Sequence, residues 1–371
     1  MSKSLIVVLF AASFVVGCAR PDRGVSGMAP VLTRTIVLPG VNNSRPTANV
    51  RGRIDHLRYD PATDRLFIAA LENGSLEVVD LAKGERIHSI GGLVQPQGVE
   101  IAAAEGRAAV ACGGDGVVHV YDTRTLEETA AIQVGRGSDN VRYDSNAHEI
   151  YATYGNKNGG GIAVIDARKW EKVRDIPLRS RPESFQLDPN GPRIFANMPG
   201  GLRAVNDGTV AIIDRKTGEV VMEIPLPQRA RNYPMAFDPE HERLFIASRR
   251  PPRLILVDTR NNALVGEAVC MDDSDDLFYD ARTGRVLVIG GGFRPDFEDT
   301  PPEPGGAHRD ETGALDVFTV GDDGTMIKVA STPTVHHART GLFVPERRAI
   351  YLAVPTLEGR DSEIREYRVA D

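Results

Sequence analysis

Apolar and polar residues alternate along this chain in short bursts of four to six, and the bursts recur in a fixed phrase. LRYDPATDRLFIAALENGSLEVVDLAKGERIHSI from Leu57 sets it: an apolar run ending in Asp, a turn, a second run, a Gly/Asn-rich turn, a third run ending in Asp, and a last strand. VRYDSNAHEIYATYGNKNGGGIAVIDARKWEKVRDIPL from Val141 repeats it, as do FQLDPNGPRIFANMPG from Phe185 and MAFDPEHERLFIASRR from Met235. The units open at Leu57, Val99, Val141, Phe185, Met235, Leu277 and Leu342, spaced by 42, 42, 44, 50, 42 and 65 residues. Period-2 alternation over such short runs predicts strands. A repeat near forty residues with about four strands per unit predicts a β-propeller, because one four-stranded sheet cannot bury both its faces alone. The expected fold is all-β, with seven blades.

The last unit lacks its fourth strand, since the chain stops at Asp371 soon after its third. Thr33 to Pro39 (TRTIVLP) matches the outer strands Val173 to Leu178 and Val221 to Leu226, so an N-terminal strand is expected to close the last blade and remove an open sheet edge. The third strands end alike, at Asp80, Asp122, Asp166, Asp214 and Asp258. An Asp that opens a tight turn accepts backbone N–H groups two and three residues on, so these are read as turn caps and not as a calcium ladder.

The first residues read differently. Lys3 precedes an apolar stretch from Leu5 to Val16, too short to span a bilayer, and then Gly17-Cys18. Val15-Val16-Gly17-Cys18 resembles the lipobox of bacterial lipoproteins, which implies that Cys18 is lipidated. The expected layout is a leader over 1–17, lipidated Cys18 with a flexible tether over 18–31, and the propeller over 32–371. Ala19 follows the cysteine where an Asp usually signals inner-membrane retention, which points to the periplasmic side of the outer membrane or the cell surface. The formal charge is −7, with Lys and Arg scattered singly, which excludes a nucleic-acid partner. Cys112 and Cys270 fall on blades 2 and 5, too far apart for a disulfide, and read as small buried residues. No CxxCH attaches a c-type haem. The chain is expected to be monomeric.

Units such as RLFIAALENGSLEVVDLAKGERIHSI resemble the YVTN repeats of bacterial seven-bladed propeller proteins of the YncE-like family. The resemblance covers Thr33 to Asp371 and implies a WD40-like propeller of the cell envelope, with little said about activity.

Candidate chemistry gathers where the inner strands begin, at one mouth of the central channel. Two residues before each unit stand Asp55, Gln97, Asp139, Glu183, Tyr233, Asp275 and Thr340; one residue before stand His56, Gly98, Asn140, Ser184, Pro234, Asp276 and Gly341. Four of the first seven are acidic, and like charges around a narrow axis are kept most easily where a cation or donor-rich ligand neutralises them. The candidate ligand-binding residues are Asp55, His56, Gln97, Asp139, Asn140, Glu183, Asn232, Asp275, Asp276 and Arg339, the last as a carboxylate or phosphate clamp. His56, Asp275, Asp276 and His336 offer a donor set for a divalent metal ion. Unequal loops reach the same face, above all the insert from Phe293 to Thr312.

No GxSxG elbow, HExxH helix or Walker loop occurs, and the single Trp170 excludes tryptophan-docking propellers. Calcium-dependent lactonase propellers are similar in placing Glu, Asn and Asp around a metal at the mouth, as Glu183, Asn140, Asp275 and Asp276 would. The expected function is therefore a lipid-anchored envelope propeller that binds a small ligand or envelope protein partner at its mouth and top loops, without catalysis of its own. The alternative is a metal-dependent hydrolase or lactonase at the same mouth.

Overall fold

The computed structural model describes residues 27–42, 53–156, 158–199, 207–292, 312–356 and 360–371. The leader with Cys18, most of the tether, the insert at 293–311 and the loop residues 200–206 and 357–359 lie outside them. The described residues form seven four-stranded antiparallel sheets arranged as blades of a propeller. Blade 1 has strand A at Leu57–Asp60, B at Arg65–Ala70, C at Ser75–Asp80 and D at Glu85–Gly91. All seven residues expected to open a unit lie in the A strand of their blade.

Blade 7 takes its A, B and C strands from Gly341–Val344, Ala349–Val354 and Glu363–Arg368, and its D strand from Val31–Val37 at the other end of the chain. Ile36 pairs with Ile364 and is 1% exposed. The expected closure is therefore present, shifted by two residues from the predicted bounds.

Burial explains the strand sequences. B strands such as RLFIAA, RIFANM and AIYLAV are covered on both faces, and so read as nearly unbroken apolar runs. D strands such as ERIHSIG and ETAAIQ face solvent, and of their residues only Ile132 is buried. Each apolar cluster among the described residues sits between two neighbouring blades; one joins Leu66 and Ile68 of blade 1 to Tyr351 and Ile364 of blade 7. The C–D pairing slips by one residue in every blade, between Val78 and Val79 in blade 1 and between Leu32 and Arg34 in the closing strand. Such bulges bend and twist the outer strand.

The third-strand aspartates cap their turns as expected. Asp122 Oδ1 accepts the N–H groups of Arg124 and Thr125 at 2.9 and 3.0 Å, and Asp166 and Asp214 do the same two and three residues on. Those N–H bonds favour the ionised form and hold these carboxyls below their ordinary pKa.

Closure predicts the cost of damaging it. Ile36→Ala removes an apolar side chain packed between the first and last blades, and is expected to lower unfolding free energy by about 2–5 kcal/mol. Urea unfolding checks this; an unchanged midpoint would show that Val31–Val37 does not hold the ring.

Candidate ligand site at the channel mouth

The A-strand starts, the linkers before them and the ends of the B strands converge on a cavity of about 490 Å³. Asp55, His56, Gln97, Asp139, Asn140, Glu183, Asp275 and Arg339 all line it. Strand register brings them there: His56 N–H donates to Gln97 O of the next blade at 3.1 Å, and Gln97 Nε2 donates to Ser138 O at 3.0 Å, so each blade positions its neighbour's rim.

Guanidinium groups fill the places between the acids. Arg53, Arg181, Arg231, Arg249, Arg250 and Arg339 share the wall with Asp55, Glu72, Asp139, Glu183, Asp273 and Asp275. Asp275 lies 2.6 Å from Arg249 Nη2 and 2.8 Å from Arg339 Nε; Asp273 is 3.0 and 2.9 Å from the same two arginines. Arg249 also stacks over the Tyr233 ring, 4.3 Å from its centre. Burial alone would raise the Asp275 carboxyl, but Arg249, Arg339 and Arg53 outweigh it and hold that carboxyl well below the usual carboxylate range. The sequence suggested a ring of repelling carboxylates, and at Asp275 the opposite is found. Removing this charge strands two arginines instead of relieving strain.

The surplus of negative charge sits elsewhere. Asp139 has Arg181 at 3.7 Å and His56 Nε2 at 3.8 Å, with Asp55 and Glu183 also near. Burial, helped by those two acids, outweighs Arg181 and His56 and pushes the Asp139 carboxyl up to about 7. Burial opposes the charge of His56, yet Asp276, Asp55 and Asp139 overcome it and raise the imidazole to about 10.

Three expected residues have other positions. Asn232 is fully buried in the wall, where its Nδ2 donates to Asn197 Oδ1 and Thr209 O at 3.0 and 3.1 Å; it braces blade 4 against blade 5 and does not line the cavity. Asp276 lies behind the wall, accepting the Gly341 N–H at 2.9 Å and facing His56 Nδ1 at 3.5 Å. His336 stacks on His337 with ring centres 3.8 Å apart, and it is His337 that lines the cavity. The metal set His56, Asp275, Asp276 and His336 therefore does not converge: Asp275 is held by arginines and His56 by carboxylates.

Of the six wall arginines only Arg339 was expected; the other five stand outside the two positions before each unit. Arg53 and Arg181 stand two residues before Asp55 and Glu183, on the same face by the period of two. Arg249 and Arg250 end the B strand Arg243–Arg250, where blades 1 and 6 end in Ala70 and Gly290. Two charges at the end of an otherwise apolar strand were the available signal.

The model of the cytochrome D1 heme domain family matches residues 62–198, from the first turn of blade 1 to the end of the second strand of blade 4. No curated protein matches the chain. Among solved structures, a chain of the mitotic checkpoint complex is similar at 13% identity and a TM-score of 0.69, covering 99% of each chain. Hydrazine synthase of Kuenenia stuttgartiensis is similar at 15% identity and a TM-score of 0.70, covering 88% of this chain and 98% of that one. At such identities the likeness shows the propeller fold.

The buried histidine gives a pH signature. In the unfolded chain His56 loses its proton near pH 6.5, whereas in the folded protein it keeps it to about 10. Its contribution is full below about pH 6.5 and is lost as pH rises through 10. Asp139 adds a separate fall at lower pH, because its raised carboxyl makes ionisation costly between about pH 4 and 7. Melting temperatures from pH 6.5 to 10 should fall in the wild type and flatten in His56→Gln. Parallel curves would show that another group titrates.

Proposed function

We propose that this propeller is a binding protein that holds a small zwitterionic molecule, one carrying both a carboxylate and an ammonium group, at its channel mouth. One observation carries the reading: the wall offers both a group of arginines and a group of carboxylates to one cavity. Arg231, Arg249 and Arg250 all come from blade 5, while Asp55 and Asp139 face the channel from blades 1 and 3. Asp139 lies near Asp55 and Glu183, a grouping of carboxylates that suits a ligand ammonium. The guanidinium cluster suits a carboxylate. A volume near 490 Å³ is that of a metabolite-sized pocket.

Two other readings find less support. The cytochrome D1 family name raises haem, and the residues do not fit it. The matched segment brings Glu72, Gln97, Asp139, Asn140, Arg181, Glu183 and Ser184 to the cavity, but no histidine. Both ring nitrogens of His56 already look onto carboxylates, Nδ1 onto Asp276 at 3.5 Å and Nε2 onto Asp139 at 3.8 Å. A metal-dependent hydrolase or lactonase needs a converged donor set, and among the described residues none is found at the mouth.

Thermal shift with lysine, glutamate, succinate, putrescine, hemin and Ca²⁺ tests the reading. A zwitterion is expected to stabilise the protein more than succinate or putrescine; saturation at a hundredfold over Kd corresponds to about 2.7 kcal/mol. Asp139→Asn and Arg249→Gln should each weaken binding more than tenfold, since a hydrogen bond to a charged group contributes roughly 1.5–3 kcal/mol. A shift with hemin or Ca²⁺ alone would sink the proposal.

We also propose, on the sequence Val15-Val16-Gly17-Cys18 and the YncE-like repeats, that the propeller is tethered to the cell envelope through lipidated Cys18. Cys18→Ser should move the protein from the membrane to the soluble fraction and abolish labelling by an acyl probe. A mutant that still labels refutes the anchor.

A further inference from the structure

Outside the cavity lining, the hairpin between strands B and C of blade 2 gathers the ligands of a metal. Strand B (Arg107–Cys112) passes through Gly113-Gly114-Asp115-Gly116 into strand C (Val117–Asp122). Cys112 ends the first strand opposite Val117, and His119, two residues further, shares its face because side chains on one face repeat every second residue. Asp115 sits in the turn, with its Oδ1 accepting the Val117 N–H at 3.2 Å. The turn is tightly held: Gly116 has φ +79°, and a Cβ there would meet the Gly135 backbone at 2.3 Å.

One ligand atom from each of Cys112, Asp115 and His119 lies within 4.8 Å of the other two, the only such group of three among the described residues. A second observation points the same way. Glu128 of strand D (Glu128–Gln133) places its Oε1 2.7 Å from His119 Nδ1. With that nitrogen donating to the carboxylate, Nε2 keeps its lone pair, as in the carboxylate–histidine–metal arrangement that orients metal-bound imidazoles.

We propose that Cys112, Asp115 and His119 bind a borderline-soft divalent metal of the zinc class, with Glu128 orienting the histidine and a fourth position left for water. A thiolate, an imidazole and one carboxylate select such an ion over Ca²⁺ and Mg²⁺, which take oxygen ligands. Binding releases the thiol proton to solvent and forms the metal–sulfur bond in its place, without change of oxidation state. Cys112 is fully buried, while His119 and Asp115 are half-buried and give the ion its way in. The site has a structural consequence at the mouth, because Gly113 packs so closely on Gln97 that a Cβ would lie 2.2 Å from Gln97 Nε2. A metal that fixes this turn fixes one wall of the cavity.

Co²⁺ titration of the full-length protein, first stripped with chelator, tests the site without reference to any mouth ligand. About one equivalent per chain should bind and give a thiolate-to-cobalt charge-transfer band in the near ultraviolet, displaced by Zn²⁺ and not by Ca²⁺. Cys112→Ser should abolish the band, and Cys270→Ser, which alters the cysteine of blade 5, should leave it. Glu128→Gln should weaken Co²⁺ binding by about tenfold to a hundredfold. His119→Gln, at a half-buried position, should weaken it further, and decides the matter if Cys112→Ser does not fold. No charge-transfer band in the wild type, a band retained in Cys112→Ser, or His119→Gln binding as well as wild type would each overturn the site.

Discussion

Every blade has two apolar faces, and among the described residues the chain covers them with other blades. The clusters that bury Phe67 and Cys112, Phe195 and Leu244, or Phe318 and Leu256 each take residues from two neighbouring sheets. Stability is therefore a sum of interfaces around a ring, and an open ring leaves two faces wet. The chain meets this demand by giving its first strand to its last blade. Ile36 and Leu38 reach the same cluster as Leu57 and Ile68 of blade 1, so the closing strand completes a sheet and an interface together.

Closure also makes the mouth rigid enough to hold charge. Asp275, Arg249 and Arg339 come from three different blades, and their distances are set by the packing of those blades below. Charged groups in such a place cost several kcal/mol each to desolvate unless a partner stands in a fixed position. A loop-borne site gives no such guarantee, whereas strand ends anchored in apolar clusters do. Bonds between neighbouring rims, such as that from His56 N to Gln97 O, tie the charges to one frame.

The fold was legible because its cause is periodic. Seven apolar openings, five matching Asp turns and one displaced outer strand all follow from alternation and turn chemistry, and each is local in sequence. The bulge in each C–D pair was not legible, since a slip of one residue in a half-exposed strand leaves the polar pattern nearly intact. The mouth was legible in part. Ten of its residues were named because the A-strand start is a fixed point of the repeat, but Arg249 and Arg250 arrive from the other end of a neighbouring strand. Asp275 and Asp276 were both expected at the cavity, although neighbours along a strand point to opposite sides, and it is Asp275 that lines it. The Cys112 hairpin was passed over for a similar reason: Asp115 and His119 lie within seven residues of the cysteine, yet a turn Asp and a strand His are each ordinary alone.

The pairing of acids with arginines changes what binding at this mouth entails. A ring of bare carboxylates would bind any cation strongly and with little discrimination. In the observed lattice most charges already have partners, as Arg181 has Glu183 and Arg339 has Asp273. A ligand must exchange those internal pairs for its own, and its net gain is the difference between two sets of charged hydrogen bonds. Such a difference is small for a ligand that matches only one half of the wall, because the groups it displaces are left unpaired in a buried place. It becomes favourable when the ligand supplies both charges at the right separation. Discrimination then rests on the distance between the Asp139 side and the blade 5 arginines, which is a property of the closed ring.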